Sequence, residues 1–225
     1  ELFEQFLDPT MMYSAAMFQG ADDTLEQAQL NKLERICQKL DLKPEDHLLE
    51  IGTGWGSMAL YAASHYGCRV TTTTLSRQQY EYTRQRIAEQ GLEDRVTLLL
   101  EDYRDLRGQY DKLVSIEMIE AVGYDYWPTY FTAIDRLLAP GGRAGIQAIT
   151  MPHDRMLATR DTYTWVHKYI FPGADASMPL SFVVSNLETA GFEIHSVENV
   201  GIHYSLTISR WYDNWMANRA EVVKN

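Results

Sequence analysis

The sequence has 225 residues, 45% of them apolar and 23% charged, so it can bury a sizeable core as one α/β domain and is not a disordered chain. With 20 Lys and Arg against 31 Asp and Glu, the net charge of −11 argues against generic nucleic-acid binding and against avid electrostatic adhesion to anionic membranes. Two cysteines, Cys37 and Cys68, exclude a disulfide scaffold and a Cys-rich zinc site. The histidines show no ligand spacing, so no metal is expected. No apolar run reaches the ~18 residues of a spanning helix, and no signal peptide is visible. The cytoplasm is therefore the expected compartment. The chain begins at Glu1 rather than Met and ends in a polar stretch, and we expect it to be part of a longer polypeptide.

In chain order, Thr24-x-x-Gln27 is a capping box before Leu25, Leu30, Leu33, Ile36, Cys37 and Leu40 at helical spacing. Lys43-Pro44-Glu45-Asp46 ends that helix. Residues 47–51 form a short strand entering a glycine-rich turn, and a helix follows until Gly67. Residues 69–75 are β-branched and read as a buried strand. Ser76-x-x-Gln79 is a second capping box, whose helix ends before Gly91. Strands are predicted at 96–100, 112–116 and 143–150, with a helix over 127–138 stopped by Pro140-Gly141-Gly142. This alternation predicts a mostly parallel, doubly wound sheet with helices on both faces. Residues 151–179 break the rhythm with a run rich in Met, Tyr and Trp, and an insertion of that length is commonly a lid. A helix over 181–190, a strand over 191–200 and a Trp-rich helix over 206–217 complete the pattern.

Glu50-Ile51-Gly52-Thr53-Gly54-Trp55-Gly56 follows a strand and opens a helix, where glycines let backbone approach a ligand closely. The spacing departs from the G-x-G-x-x-G of nicotinamide sites. It has the E-x-G-x-G-x-G form of the S-adenosylmethionine loop in Rossmann-like methyltransferases. The second strand ends Thr73-Thr74-Leu75 without the acid that usually holds a ribose, so Gln79 becomes a ribose candidate, although capping alone explains it equally well. After the third strand, Asp102 and Tyr103 offer a carboxylate for the adenine amine and a ring to stack on it.

With these residues placed, the chain resembles the cyclopropane fatty acid synthase family, which includes the mycolic acid cyclopropane synthases and the enzymes that make 10-methylene or 10-methyl acyl chains. The resemblance spans nearly the whole sequence. It rests on Leu7-Asp8-Pro9 with Met12-Tyr13-Ser14, on the glycine loop, and on Thr74-Leu75-Ser76-x-x-Gln79. It also rests on Asp102-Tyr103-Arg104-Asp105, on residues 115–123 (SIEMIEAVG), on residues 168–173 (KYIFPG), and on His203-Tyr204 before Trp211. It implies a class I methyltransferase fold with an N-terminal helical cover and a lid insertion before the last strands. The corresponding divisions are 1–23 (cofactor cover), 24–150 (cofactor-binding core), 151–180 (substrate lid) and 181–225 (the C-terminal part of the core, trimmed).

The resemblance further implies transfer of the S-adenosylmethionine methyl to a cis double bond of a phospholipid acyl chain, through a carbocation, leaving S-adenosylhomocysteine. The motifs look closest to the branch giving a 10-methylene chain rather than a cyclopropane. Matched by position, Glu120 is the glutamate that holds a bicarbonate base, Tyr204 the tyrosine beside it, and Ile149 a backbone contributor that also borders the substrate. Tyr13, Ser14, Glu50, Gly52, Gly54, Gly56, Thr74, Leu75, Gln79, Asp102 and Tyr103 match cofactor positions, and Tyr169 and Phe171 substrate positions. Four departures stand out. Ala15 replaces a cysteine, Ala121 replaces the histidine of E-H-V-G, Gln147 replaces a histidine, and Glu117 replaces a small residue. They put bicarbonate in question and make Glu117 or Glu120 a candidate base in its own right. Tyr13, Phe18, Tyr163, Trp165, Tyr169 and Phe171 are candidate faces for a cation, and Met11, Met12, Met17, Met151 and Met156 candidate tunnel walls.

Two other readings compete: a small-molecule N-methyltransferase on the same scaffold, with the glutamate serving an amine, and a non-catalytic lipid- or cofactor-binding protein. The resemblance also implies peripheral contact with the inner membrane surface, and homodimer contacts through an N-terminal domain of roughly a hundred residues ahead of the Leu-Asp-Pro motif.

Overall fold

In the computed structural model, residues 2–159, 162, 165–170 and 178–223 are described. Thr24 caps α1 (Leu25–Leu40) by accepting the Gln27 amide, and Asp41 closes it in the left-handed conformation. β1 (His47–Ile51) runs into α2 (Ser57–Tyr61), which loosens into a wider turn over Ala62–Tyr66 and stops at left-handed Gly67. β2 (Arg69–Thr73) leads to α3 (Arg77–Glu89), where Ser76 accepts the Gln79 amide. Each capping box read from the sequence is thus half formed: the N-cap bond is made, but Gln27 Nε2 donates to Asn31 Oδ1 and Gln79 Oε1 accepts from Thr74 Oγ1 instead of reaching back to the N-cap amide. β3 (Val96–Leu99) and β4 (Tyr110–Ile116) follow, then α4 (Trp127–Leu137), which passes directly into β5 (Leu138–Gln147). The Pro140-Gly141-Gly142 stop is absorbed as an irregularity at the start of β5, between the Tyr110–Leu138 and Lys112–Arg143 pairings.

The strand order is β3-β2-β1-β4-β5, and every pairing is parallel. Because side chains alternate across β1, Leu48 faces one core and Leu49 and Ile51 the other. The first core takes in α1, α2 and α3 through Leu33, Cys37, Met58 and Ile87. The second takes in α4 and the later helices through Phe131, Ile134, Met178 and Val183. Helices on both faces make this the doubly wound, Rossmann-like architecture expected from the sequence.

Beyond β5 come α5 (His153–Thr159), α6 (Trp165–Tyr169), α7 (Leu180–Thr189), α8 (Gly201–Ala217) and α9 (Arg219–Val222). One expected element is absent: residues 191–200 form no strand, and among the described residues β5 remains a sheet edge. A strand exists only with a ladder partner, and among the described residues none lies beside this segment. The last helix is longer than its Trp-rich part, starting at Gly201 rather than 206.

Strand order reverses between β1 and β4, so their carboxyl ends open a crevice there, the place where folds of this kind bind ligands. The N-terminal segment crosses this crevice and is fastened on two sides. Met17 N–H donates to Ala28 O on α1 at 3.0 Å. Ala16 N–H donates to Thr207 Oγ1 on α8 at 3.0 Å, and Phe18 N–H to His203 Nδ1 at 3.2 Å.

Candidate functional site

The loop after β1 carries Gly52, Gly54 and Gly56, all at positive φ. A Cβ on Gly54 would meet nothing within 4 Å, so the loop leaves open space beside it. A Cβ on Gly56 would lie 2.7 Å from Thr83 Cγ2, so that turn requires glycine sterically as well as conformationally. Glu50, 3% exposed, accepts from Thr72 Oγ1 at 2.6 Å, and burial pushes its carboxyl up to about 8. Thr74 Oγ1 donates to Gln79 Oε1 at 2.7 Å, which ties the β2 loop to the first turn of α3, while Leu75 is exposed.

Asp102 is held by Arg104, whose Nε and Nη2 donate to its two oxygens at 2.9 and 2.7 Å. This pairing lowers the Asp102 carboxyl. The Tyr103 ring packs edge-on against buried Tyr130, with centroids 5.7 Å apart.

The chemistry gathers where β4 and β5 end. Glu117 follows β4 at φ +47°. A small residue suits that backbone, and a glutamate there costs about 1 kcal/mol. Its own N–H donates to Gln147 O at 2.8 Å, which pins the turn to β5. Glu117 Oε1 then accepts two hydrogen bonds, from Ala15 N–H and from Gln147 Nε2, each at 2.9 Å. Gln147 Nε2 also donates to Ala15 O at 3.3 Å. Among the described residues Glu117 Oε2 accepts none.

One turn further, Glu120 Oε1 accepts the Ile149 amide, while Glu120 Oε2 is buried without a partner among the described residues. Burial pushes the Glu120 carboxyl up to about 7, opposed by its backbone hydrogen bonds and reinforced by the charge of Glu117. Tyr204 on α8 is raised to about 12 by burial and by Glu117, Tyr13 and Glu120. Tyr13 is raised by burial and by Glu117. The structure therefore brings Tyr13, Ala15, Glu117, Glu120, Gln147, Ile149 and Tyr204 into one neighbourhood, from separate stretches of the chain.

The family model described as mycolic acid cyclopropane synthetase matches residues 1–225. The chain belongs to the mycolic acid cyclopropane synthetase family. It is 44% identical over 226 residues to tuberculostearic acid methyltransferase UfaA1 of Mycobacterium tuberculosis (strain ATCC 25618 / H37Rv), a match covering 97% of this chain and 53% of that protein. It is 38% identical over 225 residues to the cyclopropane-fatty-acyl-phospholipid synthase of Escherichia coli (strain K12), covering 100% of this chain and 56% of that one. The chain thus spans about half the length of these curated relatives. Among solved structures, mycolic acid cyclopropane synthase CmaA1 complexed with SAH and CTAB superposes with a TM-score of 0.91 at 28% identity, covering 99% of this chain and 81% of that one.

Of the positions expected to be catalytic, Glu117, Glu120, Gln147 and Tyr204 converge. The substrate positions do not all do so. Ile149 reaches the site through its amide, but Tyr169 is 58% exposed, and among the described residues its ring contacts are with Trp165 and Lys168. Phe171 and Tyr163 lie outside the described residues. Met11 and Met156 are buried, Met156 at 1% exposure.

Two residues went unread in the sequence. Gln29 and Lys32, both 0% exposed, lie on the inward face of α1. Gln29 Nε2 donates to Ser14 O at 2.9 Å, and Lys32 Nζ to Ser14 Oγ at 2.6 Å. The signal was present: both fall on the buried stripe with Leu25, Ala28 and Leu33, where a lysine needs a reason to be.

Proposed function

We propose that this protein is an S-adenosylmethionine-dependent C-methyltransferase acting on the cis double bond of an unsaturated acyl chain carried by a phospholipid, and that Glu117 is its base. One observation carries the reading. Glu117 Oε1 sits on the Ala15 amide and the Gln147 side chain, the two positions where the family's cysteine and histidine are replaced. A carboxylate built into the chain thus stands where relatives are expected to hold bicarbonate, and no bound ion is needed.

The residues fit the methyl donor. The positive-φ glycine loop leaves open space at the end of β1, Glu50 lies beneath it, and Tyr13 and Ser14 cover the crevice from the N-terminal segment. When bound, S-adenosylmethionine supplies a methyl on a positively charged sulfur. An alkene is a weak nucleophile, so alignment in a dry site does most of the work. Transfer of that methyl to the alkene would break its bond to sulfur, release S-adenosylhomocysteine and leave a cation in the acyl chain, which a hydride shift would move one carbon along, onto the carbon bearing the new methyl. Glu117 Oε2, free of hydrogen bonds among the described residues, would take a proton from the newly added methyl, whose C–H electrons would form the branching methylene and discharge the cation. Glu120 Oε2, without a partner among the described residues, favours the passing positive charge. Residues 151–180 are read as the substrate lid. A cleft of about 350 Å³ between its two ends is lined by Thr150, Met151, Pro152, His153, Pro179, Leu180 and Ser181.

The membrane surface is where such a chain is met. No described helix is long and apolar enough to cross a membrane, consistent with a visit from one side. The test is incubation with methyl-labelled S-adenosylmethionine and oleoyl phospholipid vesicles, followed by mass spectrometry of the acyl chains. The expected product is a methylene-bearing chain. A cyclopropane overturns the assignment of product, and label found only in an added amine overturns the lipid reading.

A further inference from the structure

One stripe of α3 is turned to the glycine loop. Gln79, Thr83 and Arg86 follow one another at the i, i+4, i+7 spacing of a single helix face. Gln79 accepts from Thr74 just after β2. Thr83, fully buried, stands where a Cβ on Gly56 would have to go. Arg86, half-buried at the far end of the stripe, reaches two backbone carbonyls from distant parts of the chain. Its Nη1 donates to Trp55 O inside the loop at 2.8 Å and to Thr10 O in the N-terminal segment at 3.2 Å. That nitrogen carries two hydrogens, so both bonds are made at once. Arg84, two residues before, shows the ordinary alternative: it is exposed and pairs with Glu81 of its own helix at 3.0 Å.

Thr10 is well placed to carry the N-terminal cover. Asp8 Oδ2 accepts the Thr10 amide at 2.9 Å and Asp8 O the Met11 amide at 2.8 Å, so this stretch is a tight turn, closed by Met11 at φ +63°. Ser57, the first residue of α2, donates to Thr10 O as well. The chain leaves the turn as Tyr13 and Ser14, the residues read as covering the methyl donor. Rings follow the same line from α3 to the cover. Tyr82 meets Trp55 edge-on at 5.3 Å between centroids, Trp55 meets Phe3 at 5.5 Å, and Phe3 meets Tyr13 edge-on at 5.1 Å. The bonds made by Arg86 differ from these in being charged, and a charged donor makes a hydrogen bond about twice as strong as a neutral one.

We infer that Arg86 is a positioning residue for the methyl donor: by holding Trp55 O and Thr10 O together, it makes the glycine loop and the N-terminal cover one wall of the crevice, so that a ligand seated on the loop also steadies the cover. It touches no reacting atom. The inference rests on the reading of Tyr13 and Ser14 as that cover, and the test separates the two. Arg86→Met keeps an apolar stem and removes both bonds. Arg86→Lys keeps the charge, but its ammonium ends one bond short of Nη1 and cannot span the two carbonyls. Ser57→Ala removes the other donor to Thr10 O and leaves Trp55 O held.

The readout is hydrogen exchange over the loop (52–57) and over the cover (12–18), with and without saturating S-adenosylhomocysteine. In the wild type the ligand should slow both. In Arg86→Met it should still slow the loop, while its slowing of the cover falls about tenfold. Calorimetry on the same variant should show S-adenosylhomocysteine bound about tenfold more weakly. Ser57→Ala should keep most of the wild-type protection, because it gives up a neutral bond and leaves the charged ones. A ligand that steadies the cover of folded Arg86→Met as it does the wild type overturns the inference. So does faster exchange that spreads through the sheet and is the same with and without ligand, the mark of a purely structural residue. A cover loosened as much by Ser57→Ala as by Arg86→Met overturns it too. If Arg86→Met does not fold, Arg86→Lys decides by the same comparison: a cover no longer steadied, with the loop still protected, upholds the inference, and wild-type protection overturns it. If the ligand slows the loop but not the cover in the wild type itself, the cover reading falls, and the inference with it.

Discussion

Glu117 and Glu120 are three residues apart, yet their surroundings divide the labour between them. Glu117 meets two neutral donors and, through Ser14, a lysine. Glu120 has one amide on Oε1 and, among the described residues, nothing on Oε2, and burial lifts it to about 7. Glu120→Gln keeps an oxygen for the Ile149 amide, so the local fold and S-adenosylhomocysteine affinity should persist in calorimetry. Turnover should fall about a hundredfold, because an amide gives a passing cation far less than a carboxylate. The same variant has a signature in stability. The folded-state carboxyl is raised above its ordinary value, so ionisation favours the unfolded chain, and the wild type loses stability as pH rises from the ordinary carboxyl range through about 7. Glutamine has no such loss. Urea unfolding should show Glu120→Gln gaining about 1–3 kcal/mol on the wild type between about pH 5 and about pH 8.

At the scale of elements, the turn from β1 into α2 is built around Gly56. Its φ of +92° opposes any side chain, and so does the Thr83 methyl, only 2.7 Å from where a Cβ would stand. Gly56→Ala should cost about 2–4 kcal/mol, from left-handed strain plus overpacking against α3. Thermal unfolding measures this, and cofactor affinity should fall with it because the loop is displaced. Elements of this kind were the most legible part of the sequence. The Thr24 and Ser76 N-caps, the glycine loop and the Gly67 stop are local devices whose physics is complete within a few residues. The strand expected over 191–200 was not of that kind. Its alternation of apolar and polar residues is a real local signal, but a strand needs a neighbour, which no local pattern supplies.

Across the whole molecule, the N-terminal segment and α8 behave as one clasp over the crevice, although about two hundred residues of chain separate them. Thr207, fully buried, accepts the Ala16 amide, while Asn214 and Asn218 donate to Phe6 O and Gln5 O at 3.0 and 2.7 Å. Phe6, Tyr13, Trp211 and Trp215 interleave their rings between these contacts, with Tyr13 and Trp211 centroids 5.2 Å apart. Thr207→Val preserves shape but strands the Ala16 N–H in the interior, at a cost of about 1–3 kcal/mol. Hydrogen exchange should show faster opening of Ala16 and Phe18 with the β-sheet amides unchanged. Faster exchange throughout the sheet would instead mean that the clasp and the core unfold as one unit.

The clasp explains why the site itself was only half legible. Glu117, Glu120, Gln147 and Tyr204 could be named from the sequence, because chemistry-bearing residues at family positions stand out in it. That Glu117 points back to the Ala15 amide could not be named, nor that Lys32 lies beneath Ser14. Both are relations between α1, the N-terminal segment and the ends of β4 and β5, and they arise only when the sheet brings those pieces together. The sequence of 225 residues, with its apolar fraction, its alternating elements and its glycine loop, determined by itself the fold class, the cofactor turn and the residues able to do acid–base work, since each follows from short-range sterics and side-chain chemistry. Tertiary structure alone decided which carboxylate takes the donors. Charge and burial are properties of a place in the folded molecule, and that place is made by residues far apart in the chain.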